Sequence, residues 1–279
     1  MTNLAGIQSN IQLVRSLSND LAGYLYSLPD EVWRNASSYG SACELWKIAD
    51  VVSHLILESQ ANYQSIERAL KGQTSPPMGY HHLKGEEYLE RVTSIRIAYH
   101  EDVFPEFNTS CRRLNTLISS LNPESYVDPV WHTRSVMPIS RLIEHRILEL
   151  ALHGWDITYG FNRQAQLTKQ AKSFLKRTMK LWLNMMFRGS TPLVVPIIYR
   201  FDLTDSPEDC YDIVINGEGF NIISRTDNKA TVTFHVSTND YILFLTSRLP
   251  FMRSVRRGYI TFEGEEGVAS EFIDWFMPL

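Results

Sequence analysis

Residues 139–161 read ISRLIEHRILELALHGWDITYGF. Wound as a helix, this segment is apolar on nearly every side. Such a helix is stable only when neighbours surround it, so the chain has to place it inside a bundle of other helices. Four ionisable residues nevertheless recur in it, Arg146, Glu149, His153 and Asp156, at i, i+3, i+7 and i+10. At about 100° per residue they fall, with His145, inside one wedge about 100° wide. Ile143, Ile147, Leu148, Leu150, Ala151, Leu152 and Trp155 cover most of the rest. Ionised groups are costly to bury singly and are tolerated when paired or bound to a metal. The wedge therefore has to meet partners from elsewhere. Glu149 and His153 are four residues apart and stack on one helix face, a spacing that suits two ligands of one ion. A buried Arg–Glu or His–Asp network that only fixes helix register would show the same spacing.

The remaining chain shows what surrounds this helix. Three more stretches in the first two-thirds carry helical periodicity: 3–28, 44–72, and 85–121 with a bend expected at Pro105. A further amphipathic helix is expected over 168–187. From about residue 190 the period shortens. PIIYRFDL, YDIVING, FNIISRT and ATVTFHVS are rich in β-branched and aromatic residues and are separated by turn residues. NDYILFLTS then reads as a helix, GYITFEG as a strand and VASEFIDWF as a closing helix. The expected architecture is an all-α four-helix bundle over 1–188, followed by a smaller α+β domain over 189–279. At 279 residues, two domains agree with ordinary domain size.

The net charge of −4 argues against a general nucleic-acid binder. Cys43, Cys111 and Cys210 are far apart and odd in number, without a CxxC pair. They suggest a reduced, cytoplasmic protein without a disulfide framework. No apolar run is long enough for a signal peptide or a membrane span.

A third ligand is expected from another helix. ADVVSHLILE supplies His54, again among apolar residues. A lone histidine in such a setting is also a common core residue. Together with the Glu-x3-His pair, however, it makes a three-ligand set with an open position. That is the arrangement of catalytic zinc sites, whereas structural sites are usually closed by four protein ligands.

These segments resemble a family. LWKIADVVSHL resembles the opening of the DinB-like bundle in mycothiol-dependent maleylpyruvate isomerases. RLIEHRILELALHGWDITYGF resembles their R..E…H..D helix, with Arg146, Glu149, His153 and Asp156 on the matching positions. The order of a DinB-like bundle and a sterol-carrier-protein-2-like α+β domain also resembles theirs. The resemblance implies that His54, Glu149 and His153 bind a divalent metal, usually zinc, with Arg146 and Asp156 as supporting groups around it. It implies a low-molecular-weight thiol as cosubstrate: mycothiol, or glutathione, bacillithiol or ergothioneine in its place. The metal-bound thiolate would add to, or transfer sulfur onto, a small electrophile, anionic or neutral. In the isomerisation, rotation follows the addition and the thiol then leaves. An arginine of the C-terminal domain is implied in substrate recognition, and Arg248 and Arg256 are the candidates. His132 and His145 rank behind the three named ligands. His81 and His82, in the unfamiliar stretch QTSPPMGYHHLKGEEY, are expected to be exposed loop residues. A monomer or homodimer, with no membrane or nucleic-acid partner, completes the expectation. The alternative is a non-catalytic protein whose aromatic C-terminal domain binds an apolar ligand.

Overall fold

The structure is a computed structural model that describes residues 4–35, 38–43, 46–81, 85–206 and 208–276. The chain divides into two compact units, Met1–Leu167 and Thr168–Leu279.

The first unit is helical. Helix α1 (Leu4–Tyr26) buries Ile7, Ile11, Val14, Leu17, Leu21 and Leu25, one stripe at the helical period. A single turn, α2 (Glu31–Arg34), follows Pro29 and was not expected. Helix α3 (Ile48–Ala69) starts where the Asp50 carboxylate accepts the backbone N–H of Lys47 at 3.0 Å. Helix α4 (Glu86–Tyr99) packs on α3. It ends at His100, whose φ of 45° breaks the helix before the 3₁₀ turn His100–Asp102. Helix α5 (Val103–Ser120) then begins afresh. The break thus comes at His100 and not at Pro105. Pro105 sits in the first turn of α5, where a missing backbone N–H breaks no intrahelical bond. Two short strands, β1 (Pro129–Val130) and β2 (Met137–Pro138), pair antiparallel. They frame the turn that leads into α6 (Ile139–Phe161), the apolar helix. Helices α1, α5, α3 and α6 form a closed ring of neighbours, α1 touching α5 and α6, and α3 touching the same two. That ring is the expected four-helix bundle.

Helix α7 (Lys169–Met186) opens the second unit; Thr168 caps it by accepting the N–H of Ala171. The boundary expected from sequence, at 188, lies after this helix, whereas the structure divides before it. Amphipathic spacing says that Phe174, Leu175, Met179, Trp182 and Leu183 need a partner, but not which one. In the structure α7 packs on α8 (Thr238–Leu245), inside the second unit. The sheet has the order β5 (Phe220–Ser224), β4 (Cys210–Ile215), β3 (Ile197–Leu203), β6 (Val232–Val236), β7 (Ile260–Gly264). Only the β3–β6 pair is parallel; the others are antiparallel. Helix α9 (Phe251–Arg256), not expected from sequence, and α10 (Glu266–Glu271) lie against β7. Phe201, Phe234, Phe244 and Phe272 are fully buried with ring centroids 4.9–6.3 Å apart, so these four rings belong to the core of this unit. Among the described residues no helix is long and apolar enough to cross a membrane.

Candidate metal centre

Helices α3 and α6 face each other, so their inward polar residues meet within the bundle. His54 Nε2 lies 2.9 Å from Glu149 Oε2, and His153 Nε2 lies 3.3 Å from the same oxygen. All three side chains are largely buried, Glu149 slightly less so than the two imidazoles. Their donor atoms lie within 4.8 Å of one another. Two imidazoles and a carboxylate converging in this way match the donor set of a divalent-metal site.

The outer nitrogen of each imidazole is held. His54 Nδ1 is 2.5 Å from the hydroxyl of Tyr88 on α4. His153 Nδ1 is 2.9 Å from Asp156 Oδ2, and Asp156 is wholly buried. Ligating histidines are oriented by such contacts, which fix the tautomer and leave Nε2 facing the ion. Helix α4 is held in turn by an ion pair of Arg96 with Asp50, at 2.7 Å. Trp46 lies over the pair, its ring 5.0 Å from His54 and 6.0 Å from His153. The loop before α3 reaches α6 because Gly160 carries no side chain: a Cβ there would stand 2.5 Å from the carbonyl oxygen of Gly40. In the same loop Ala42 N–H donates to Asp156 O. That places Cys43, whose thiol donates to Asp156 Oδ2 at 3.1 Å, 4.0 Å from His153 Nδ1.

The electrostatics favour one positive charge at the centre of this set. Burial, and His153 beside it, hold His54 below the ordinary histidine range. Burial alone would raise Glu149, but hydrogen bonds from His153 and His54 outweigh it and hold the carboxyl well below its usual range. For His153, burial pulls downward and is outweighed by Asp156, Cys43 and Glu149, which raise it well above its usual range.

His54, Glu149 and His153 thus come together, with Asp156 beside them. Arg146, expected as a supporting group, is buried but points elsewhere. Its guanidinium donates to Leu55 O at 3.3 Å, Ser59 Oγ at 2.6 Å and Cys111 Sγ at 3.3 Å. These contacts pin α6 to α3 and α5. His145 Nε2 is 3.4 Å from Glu149 Oε1, on the other side of that carboxylate. His132 Nε2 is 3.9 Å from Glu58 Oε2. Burial, then His145, lowers His132 to about 3, and burial raises Glu58. His81 is exposed, and His82 lies outside the described residues. Arg248 is half-buried in the second unit and donates to Thr246 O at 2.9 Å; Arg256 is exposed at the end of α9. Sequence reasoning missed Tyr88, Trp46 and Glu58, and read Cys43 only as a thiol without a disulfide partner. Of these, Glu58 carried a signal as the residue one turn after His54, and Trp46 as the tryptophan of LWKIADVVSHL, a segment that carries the family resemblance.

A family profile described as the mycothiol maleylpyruvate isomerase N-terminal domain matches residues 14–158. Among solved structures, that of the mycothiol-dependent maleylpyruvate isomerase is similar at a TM-score of 0.65 and 14% identity, covering 95% of this chain and 97% of that one. A histidine-to-alanine mutant of that enzyme is similar at 0.66 and 13% identity, with the same coverage. A search of curated proteins found no match.

Proposed function

We propose, for a chain that belongs to the mycothiol maleylpyruvate isomerase family as its match over residues 14–158 establishes, a metal-dependent enzyme that activates a low-molecular-weight thiol. His54, Glu149 and His153 hold the ion, and zinc suits two imidazoles and a carboxylate. The bound cation lowers the pKa of a thiol and so supplies a thiolate near neutral pH. Tyr88 and Asp156 orient the two imidazoles, and Trp46 covers them against water. The thiol is mycothiol, or another such as glutathione, bacillithiol or ergothioneine. The electrophile is small and anionic, with Arg248 or Arg256 recognising its carboxylate through a bidentate fork. The reaction is thiol addition with cis–trans isomerisation, or S-transfer.

The observation that carries this reading is the convergence of three donor atoms whose two imidazoles are each held from behind. A register-fixing network needs no such arrangement on both histidines. The test is elemental analysis of wild type and of His153→Ala after metal-replete expression, followed by turnover assays with a panel of thiols and electrophiles. Wild type should carry zinc or a similar ion and the variant much less. Equal metal in both, or none in wild type, refutes the ligand set. Metal without turnover on any pair leaves a binding or regulatory bundle.

A further inference from the structure

A second group of donors lies inside the same bundle. Glu58, His132 and His145 are 6%, 3% and 3% exposed, and one donor atom from each lies within 4.8 Å of the others. They come from three places: α3, the β1–β2 turn and α6. Glu58 follows His54 by one turn of α3, and His145 precedes Glu149 by one turn of α6. The two helices thus present His-x3-Glu and His-x3-Glu-x3-His toward each other.

Glu149 connects the two groups. One oxygen, Oε2, faces His54 and His153, at 2.9 and 3.3 Å. The other, Oε1, faces His145 at 3.4 Å. A carboxylate with an imidazole nitrogen on each side is placed to bridge two ions. The spacing in the second group also suits coordination better than hydrogen bonding. A buried His–Glu pair that shared a proton would close to about 2.8 Å. His132 Nε2 and Glu58 Oε2 instead stand 3.9 Å apart. Two ligands of one ion, each at about 2.0–2.2 Å, stand roughly 3–4 Å from one another. The rings of His132 and His145 meet edge to face at 4.4 Å, so both imidazoles belong to one small volume.

We propose that Glu58, His132 and His145 bind a second divalent cation, bridged by Glu149 to the first. Helical bundles assemble two-metal centres from His and Glu on facing helices in this manner. Ions sharing a carboxylate stand about 3.5–4 Å apart. The mixed imidazole–carboxylate set suits zinc, cobalt, manganese or iron in the divalent state. Two contributions weaken this second ion relative to the first. The backbone N–H of Arg134 approaches His132 Nδ1 at 3.3 Å, and metal on Nε2 puts a proton on Nδ1, so that contact has to give way. The guanidiniums of Arg134 and of the buried Arg146 also add positive charge nearby. The inference rests on the proposed His54–Glu149–His153 site for its first ion.

The experiment uses the full chain, stripped with a chelator and titrated with Co²⁺. Ion number is read by elemental analysis after gel filtration, and successive binding by calorimetry and visible absorption. Wild type should take two ions in two steps. Glu58→Gln and His145→Gln should each take one ion, at the affinity of the tighter step. His54→Ala should lose the tighter step and keep the weaker. Far-UV circular dichroism is recorded on every variant; His132→Gln replaces Glu58→Gln or His145→Gln if either fails to fold, and His54→Gln replaces His54→Ala. A wild type that saturates at one ion, lost in His54→Ala and unchanged in Glu58→Gln and His145→Gln, overturns the second site and leaves the first standing. One ion lost in Glu58→Gln and His145→Gln but kept in His54→Ala keeps Glu58, His132 and His145 as ligands, overturns the His54–Glu149–His153 site and with it the bridged pair. No bound ion in wild type overturns both readings.

Discussion

Asp156→Asn probes the centre through a residue that is not a ligand. Asp156 is wholly buried, and its Oδ2 accepts from His153 at 2.9 Å and from the Cys43 thiol at 3.1 Å. Asparagine has nearly the same shape and keeps one oxygen acceptor, so His153 Nδ1–H retains a partner. The negative charge is what is lost. A hydrogen bond to a charged group contributes about 1.5–3 kcal/mol and a neutral one about 0.5–1.5, so the difference is on the order of 1–2 kcal/mol. Partners that orient ligating histidines typically matter by about 10–100-fold in metal affinity, which is about 1.4–2.7 kcal/mol. The two routes agree on a weakening of roughly one to two orders of magnitude. The assay is competition for zinc with a chromophoric chelator, beside thermal unfolding of the metal-free proteins. A folded variant whose zinc affinity stays within about twofold of wild type would refute the reasoning. If the variant unfolds and binding is lost with the fold, Asp156 serves the core and not the metal.

Arg146→Met should lower stability by about 1.5–3 kcal/mol, because the charged donors to Leu55 O, Ser59 and Cys111 are lost. Its metal content, by elemental analysis, should match wild type. In the second unit, Arg200 grips the buried Asp212 with two hydrogen bonds of 2.8 and 2.9 Å, and Thr226 adds two more. Asp212→Asn should therefore cost about 3–5 kcal/mol in urea unfolding. Burial alone would raise the Asp212 carboxyl, but Arg200 and Thr226 outweigh it and hold it below the ordinary value. Its contribution is then fully present above the unfolded-state pKa and disappears as pH falls through the folded-state value. The gap between wild type and variant should accordingly shrink below about pH 4. Arg248→Ala or Arg256→Ala should leave metal content unchanged and lower kcat/KM for an anionic electrophile by roughly 10–150-fold, the loss of one charge-assisted hydrogen bond. No change in either variant would remove both arginines from substrate recognition.

The sequence by itself determined the bundle and its ionisable seam. An apolar helix has to be enclosed, and ionisable groups at i, i+3 and i+7 within it have to meet something. His54, Glu149 and His153 were legible for that reason, since each stands out against apolar neighbours at helical spacing. The change of period near residue 190 likewise made the α+β unit legible. The tertiary structure decided which partner each group meets. Arg146 and Asp156 share one wedge of α6, yet one reaches across to α5 and the other turns back to His153. Periodicity gives a residue's face and not the neighbour lying opposite. Tyr88 and Cys43 join the site from segments 34 and 110 residues away from the histidines they touch, and nothing in their local pattern marks them. The same holds for α7, whose apolar stripe called for burial while only the packed chain settled that α8 covers it. Local sequence fixes the shape and polarity of each element, because those follow from backbone period and side-chain transfer from water. Which elements meet, and which atoms then stand within bonding distance, follows from packing the whole chain at once.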